Sequence, residues 1–420
     1  MKTLITALTL GLLSITSLQP ATAQNAFTPD NIFVSGSHTE EPWEALVMEF
    51  TPEGEHVRTI TMEPGVEGRA YGLAFGPDGR LYVGDNSSDK IFAVSPDGSA
   101  EVFVDGEGGL SDVDGLTFGP KGNLYAAGRD NGEVVVIDPN GNAVDWLDPG
   151  KPNAIGFAPD GTLMLTDQDL GRVVLYNNQN LEVGLIGDAQ LTSYCGNPVW
   201  GPGGNIYVGN YGSGNIAVFG PDGSFIGTIS NGSMGGPYGL ALGPDGRIYV
   251  ADYGTDSVVV LGSDLALENA FTHEDLAYPA YVAVAPYVFK AKLKGDTFIE
   301  NTTKPTKLAD KSALLSISPG SGTIMIAAGS DEFAASIGSP WMVFHGFAAV
   351  SSTAKKRRAQ GTEAARELSV ASPSSIDLML SGKVAPSGLY QLKSASGTLH
   401  RASATQTWHL NVKGRKLLKP

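Results

Sequence analysis

Cysteine is nearly absent: Cys195 is alone among 420 residues. No internal disulfide can form, so stability must come from packing even in an oxidising compartment. Its neighbourhood, Ser193-Tyr194-Cys195-Gly196-Asn197, offers no histidine to activate a thiolate, and Cys195 reads as a small residue at a strand entrance. Histidine is scarce as well, with only His38, His56 and His273 before residue 287. So is positive charge: residues 24–286 carry 9 Lys/Arg against 36 Asp/Glu. A surface this acidic disfavours nucleic acid and suits cations or basic partners. Nor does any segment supply about 20 consecutive apolar residues, which argues against a transmembrane helix.

What is present begins with a targeting pattern. Lys2 precedes an apolar stretch from Leu4 to Leu18, and Ala21-Thr22-Ala23 gives a small-x-small cleavage site before Gln24, so residues 1–23 read as a signal peptide and the protein as secreted or periplasmic. At the other end the charge reverses, with 18 Lys/Arg against 8 Asp/Glu after Pro286. That reversal divides the chain into an acidic module, 24–289, and a basic region, 290–420. The basic region could meet anionic polymers, a membrane surface or the acidic module itself.

Within the acidic module one unit recurs. Tyr71 to Phe75, Leu81 to Asp85, Ile91 to Val94 and Glu101 to Val104 are short strand-like runs, separated by turns such as Gly76-Pro77-Asp78-Gly79 and Ser95-Pro96-Asp97-Gly98. Proline presets φ and glycine accepts φ > 0, which a tight reversal requires. The closing glycine of the first turn falls at Gly79, Gly122, Gly161, Gly204 and Gly246, a blade-sized period. Five complete four-stranded units follow. Residues 32–61 supply strands two to four of a further unit and Ala280 to Pro286 its first strand. The expected fold is all-β: a six-bladed β-propeller of antiparallel four-stranded blades whose closing blade is shared by both ends of the repeat region.

These units resemble NHL repeats and, more loosely, the SMP-30/gluconolactonase group of six-bladed propellers, over residues 30 to 286. In particular, Lys151-Pro152-Asn153-Ala154-Ile155-Gly156 is similar to the segment in which that group carries a metal-binding asparagine. The resemblance implies a divalent cation, Ca²⁺ by its preference for oxygen ligands, that polarises a lactone carbonyl while a carboxylate handles the water. Departures accompany the match. Where the group has its metal-binding Asp and Glu, this chain has Gly196-Asn197 and Tyr71, and Asp114 stands where the group usually has Asn. The related amidating lyases use a histidine-rich metal site, whereas here only His38 and His273 are expected on the same face.

In a four-stranded meander the Pro-Asp-Gly turns share one face, so Asp78, Asp97, Asp160, Asp222 and Asp245 are expected to be turn formers. The other face collects Asp85, Asn86, Arg129, Asp167, Asn210, Tyr211, Asp252 and Tyr253 after the second strands, and Arg69, Asp112 and the starts of the first strands. Alignment on the turn glycines makes Tyr71, Asp114, Asn153, Gly196 and Tyr238 equivalent, with Asn197 one step on. The resulting candidates are Asp114 and Asn153 for a metal, Asp114 as a base, and Arg69, Tyr71, Arg129, Asn197 and Tyr238 for a ligand. Both arginines could clamp a carboxylate or neutralise nearby aspartates, and the tyrosines could stack on a ligand or fill space between blades. Two functions stay open: a propeller that binds a small molecule, glycan or protein at an acidic mouth, and a metal-dependent lactonase or related hydrolase.

After Pro286 the Pro-Asp-Gly signature stops. Leu314 to Ile317, Thr323 to Ala327, Trp341 to Phe344, Ile376 to Leu380 and Trp408 to Val412 are expected strands of a small β domain or of a partly ordered appendage, interrupted by the basic cluster Lys355-Lys356-Arg357-Arg358.

Overall fold

The computed structural model of the chain describes residues 26–288, apart from positions 107, 108, 120, 121, 159, 178, 188, 189, 193, 202 and 203, and beyond 288 a set of strands. The segment 1–23 expected as a signal peptide and the Lys355–Arg358 cluster lie outside the described residues. Six four-stranded antiparallel sheets form the ring, with innermost strands Ala70–Phe75, Val113–Phe118, Pro152–Phe157, Cys195–Trp200, Pro237–Leu242 and Val282–Val284. In the closing blade Val282–Val284 pairs with Ile32–Ser37, followed outward by Ala45–Phe50 and His56–Thr61. The two ends of the repeat region therefore complete one sheet, and the ring needs no covalent closure.

Each Pro-Asp-Gly turn is held by its aspartate. The Oδ1 atoms of Asp78, Asp97, Asp160, Asp222 and Asp245 accept the backbone N–H two residues on, at 2.9–3.2 Å. The carboxylate supplies the acceptor that a tight turn lacks. Between blades, tyrosines of the second strands meet phenylalanines of the neighbouring first strand. Tyr82 meets Phe118 edge-on at 5.2 Å, and Tyr125 meets Phe157 at 5.2 Å, pairs that add about 0.5–1.5 kcal/mol each beyond their buried area.

Closest approach occurs at the ring axis. A Cβ on Gly196 would stand 1.6 Å from the carbonyl oxygen of Tyr238 on the next blade, so only glycine permits this strand to approach its neighbour.

Tyr287 ends the propeller. Fully buried, it donates its hydroxyl to Asp30 and opens the strand Tyr287–Thr297 of a second sheet. That strand pairs with Lys311–Ser318 on one side and Gln406–Val412 on the other. Thr323–Ala328 and Trp341–His345 extend the first side, Tyr390–Arg401 and Ser374–Val384 the second. Every strand expected from the apolar runs is present. Tyr287–Thr297 and Tyr390–Arg401 were missed, because their alternating Lys and Ser residues mask the apolar pattern.

Candidate functional site

The first strands deliver side chains to the axis at the positions that alignment made equivalent. Asp114 and Asn153 are fully buried, and Tyr71 and Tyr238 nearly so. Most polar groups at the axis have a protein partner, whereas the buried Tyr281 hydroxyl and Asp114 Oδ2 make no hydrogen bond. The Asn153 amide donates to the carbonyl of Cys195, and its Oδ1 accepts from the Tyr238 hydroxyl at 2.8 Å. Asp114 Oδ1 accepts from Asn86 Nδ2 at 2.9 Å, and its Oδ2 lies 3.1 Å from Arg129 Nη1.

Arg129 is a shared counter-ion. Its second terminal nitrogen pairs with Asp112, so one guanidinium serves two carboxyls that sit on the same first strand and its lead-in. A single positive charge cannot offset two buried negative ones. Burial accordingly pushes the Asp114 carboxyl from its ordinary 3.8 up to about 8, and Asp112 up to about 6, against the lowering influence of Arg129. The same carboxyls raise the Arg129 guanidinium. Both shifts favour the protonated carboxyls.

Above this layer opens a cavity of about 400 Å³. Tyr71, Tyr194, Tyr211, Tyr238 and Tyr253 supply most of its wall, and Arg69, Asn86 and Arg129 the rest. Tyr253 is the hub, with ring centroids 5.8 Å from Tyr211, 6.4 Å from Tyr238 and 6.5 Å from Tyr71. It also lies 5.2 Å from Tyr278. The Arg69 guanidinium sits over the Tyr278 ring at 5.3 Å.

Backbone strain concentrates at this face. Asp112 and Tyr194, just before first strands, and Tyr278, in the loop that leads to Val282–Val284, hold φ of 61°, 62° and 52°, a left-handed conformation that a tyrosine adopts at a cost of about 1–2 kcal/mol. Tyr194 and Tyr278 are also exposed. Packing alone gives no reason for two bulky, exposed rings at strained positions.

Of the ligand candidates read from the sequence, Arg69, Tyr71, Arg129 and Tyr238 line the cavity, and Asn197 does not. Its amide makes a reciprocal pair with the backbone of Leu240 at 2.7 and 3.0 Å, joining adjacent blades. The expected ring of free oxygens is likewise engaged elsewhere. Asp85 accepts the N–H groups of Arg69 and Ser87, Asp167 those of Asp169 and Leu170, and Asp252 those of Gly235, Gly236 and Gly254. Loops that leave a sheet carry orphan N–H groups, and the strand-end carboxylates satisfy them. The mouth is aromatic and cationic rather than acidic.

Nor does the donor set fit a divalent cation. Asn153 Oδ1 and Asp114 Oδ1 accept hydrogen bonds from Tyr238 and Asn86, and Asp114 Oδ2, which makes no hydrogen bond, stands 3.1 Å from the Arg129 cation. Gly196 has no room for the carboxylate a metal site would need there. Among the described residues no three His, Cys, Asp or Glu side chains cluster as metal ligands. The ring of His273 lies tilted against His56, centroids 4.2 Å apart, while His38 lies 3.7 Å from Glu44, so the two histidines expected together have different partners. Burial pushes the Cys195 thiol up to about 12, and its Sγ donates to the Thr192 carbonyl, an inert structural role.

Sequence reasoning underrated Asn86, Tyr211 and Tyr253 and missed Tyr194 and Tyr278. A signal was available at Tyr194, which stands just before the first strand Cys195–Trp200 where a loop former belongs.

Comparison with known proteins agrees on the architecture. The family model described as the SMP-30/gluconolactonase/LRE-like region matches residues 44–151. The chain resembles that group. The matched segment contains Asp112, Asp114 and Arg129 and ends before Asn153 and Gly196. No curated protein matches the chain. One chain of a nidogen/laminin complex is 14% identical with a TM-score of 0.50, covering 61% of this chain and 99% of that one. A putative gluconolactonase is 14% identical with a TM-score of 0.46, covering 74% and 97%. Virginiamycin B lyase from Staphylococcus aureus is 10% identical with a TM-score of 0.41, covering 82% and 94%. At these identities the likeness concerns the fold alone. No helix among the described residues is long and apolar enough to cross a membrane.

Proposed function

We propose that the chain is a secreted binding protein that takes a small, ring-bearing molecule into the mouth of its propeller, the ring comprising residues 24–289. The observation that carries this reading is the cavity of about 400 Å³ walled by five tyrosines. Its volume falls within the roughly 300–1,000 Å³ of small-molecule sites, and convergent rings bury a flat ligand at little entropic cost. Strain at Tyr194 and Tyr278 supports it, since strained residues persist where function holds them.

A thermal-shift screen of the full chain against ring compounds tests the proposal. Binding that disappears in Tyr253→Ala and survives chelator supports it. A screen in which no ring compound binds, or in which hits bind Tyr253→Ala equally well, overturns it. Specific capture of a protein or polysaccharide in place of small rings would also count against it.

The match over residues 44–151 favours a second reading, a lactonase or related hydrolase. Asp114, the candidate base, is enclosed by Asn86 and Arg129 and biased toward its protonated form. A metal-dependent hydrolase would have to expel Arg129 from the position in which it pairs with both aspartates. Divalent-dependent lactone hydrolysis by the purified chain would establish this reading instead.

A further inference from the structure

The propeller contains six arginines: Arg58, Arg69, Arg80, Arg129, Arg172 and Arg247. Five have carboxylate partners, Glu49 for Arg58, Asp78 and Glu101 for Arg80, Asp112 and Asp114 for Arg129, Asp167 for Arg172, and Asp245 and Glu268 for Arg247. Among the described residues Arg69 alone has none, although acidic residues outnumber basic ones four to one around it. Its backbone N–H is held by Asp85, while its guanidinium rests on the Tyr278 ring and faces the cavity. Stacking of this kind fixes a guanidinium in place and leaves its fork of donors open.

The rest of the wall specifies what else the ligand carries. Asn86 and Arg129 spend donors on Asp114 and Asp112, and the Tyr238 hydroxyl donates to Asn153. Fewer donors therefore remain for the hydroxyls of a saccharide. A flat aromatic ring makes no such demand and packs edge-to-face with tyrosines.

We infer that the ligand is an aromatic monocarboxylate, its ring held among Tyr71, Tyr211 and Tyr253 and its carboxylate paired with Arg69. This rests on the proposed binding function and names the class of molecule that the site takes. A planar guanidinium and a carboxylate match in a two-point hydrogen-bonded pair, and Tyr278 pays its conformational strain to hold the guanidinium ready.

The test uses the full chain and a set of benzoates, phenylacetates, cinnamates and indole carboxylates, each beside its carboxamide, with cyclohexanecarboxylate and glucuronate as non-aromatic acids. Dissociation constants are measured for the parent, Arg69→Gln and Arg69→Lys, with melting curves to confirm folding. The expected result is an acid that binds the parent roughly tenfold or more tighter than its amide, and loses that preference in Arg69→Gln. Arg69→Lys should retain part of it, because charge remains without the fork. Equal binding of acids and amides would overturn the carboxylate assignment and leave the ring-binding function standing. Preference for cyclohexanecarboxylate or glucuronate would overturn the aromatic assignment. Absence of binding by every ring compound would overturn the binding function itself.

Discussion

Arg129 Nη1 stands 3.1 Å from Oδ2 of Asp114, a carboxylate with no exposed surface, at the place where the resemblance to lactone-hydrolysing propellers leads one to expect a metal ion. The same guanidinium pairs with Asp112. A side chain of the protein thus supplies the cation of the mouth.

Arg129→Gln removes the cation that, alone among the described residues, pairs with both Asp112 and Asp114. The expected cost is about 3–5 kcal/mol, the range found when one partner of a buried pair is deleted. Chemical denaturation at neutral pH measures it. Adding Asp114→Asn should recover a substantial part, because the amide needs neither a counter-ion nor the proton that Asp114 must take up once Arg129 is gone. A fully additive double variant would contradict the shared counter-ion.

Stability should depend on pH through Asp114 with a definite sign. The folded carboxyl is raised from 3.8 to about 8, so its favourable contribution is fully present below about pH 4 and is lost as pH rises toward 8. Asp112, raised to about 6, acts in the same direction over a lower window. Asp114→Asn cannot ionise, and its stability relative to the parent should rise between pH 5 and 9. Denaturant titrations of both proteins across that range give the difference, and a flat difference would show that Asp114 is ionised throughout.

Tyr278→Gly separates stability from binding. Glycine relieves a left-handed strain of about 1–2 kcal/mol, offset by its larger unfolded-state entropy of about 0.5–1 kcal/mol and by lost ring contacts. Its melting temperature should therefore stay close to the parent's, while ligand affinity falls as Arg69 loses its platform. A large loss of stability with unchanged affinity would make Tyr278 a packing residue.

Gly196→Ala tests the close approach at the axis. The added Cβ meets a backbone oxygen on the next blade, which cannot swing aside as a side chain could, so a loss of about 4 kcal/mol or failure to fold is expected. Gly227, whose Cβ would meet nothing within 4 Å, provides the control; Gly227→Ala should fold normally.

The fold was legible because its signals are local and repeated. Pro-Asp-Gly turns, period-two strands and a recurring glycine spacing each depend on a few adjacent residues, and the incomplete units at 32–61 and 280–286 could be joined by counting strands. The site was only half legible. Equivalence of Tyr71, Asp114, Asn153, Gly196 and Tyr238 came from turn spacing, and it located the axis correctly. Which atoms those side chains face did not, since it depends on partners from other blades: Cys195 and Tyr238 for Asn153, Asn86 and Arg129 for Asp114. The strand-end aspartates misled for the same reason, because the orphan N–H groups of Gly235, Gly236 and Leu170 become visible only when the loops are built. Likewise, Arg69 and Arg129 look alike in sequence, and only the ion pairs divide them into a free cation and a spent one.

The most direct test is a metal measurement. Full-length protein is exhaustively treated with chelator, its divalent content determined, and its melting temperature followed as Ca²⁺ is added, beside Arg129→Gln treated in the same way. The expected result is a parent that holds no stoichiometric divalent ion and does not respond to Ca²⁺, with a calcium-dependent stabilisation appearing in the variant, whose Asp112 and Asp114 are left without a cation. A parent that retains one divalent ion per chain, or melts several degrees higher with Ca²⁺, would contradict the assignment of Arg129 as the cation of the mouth.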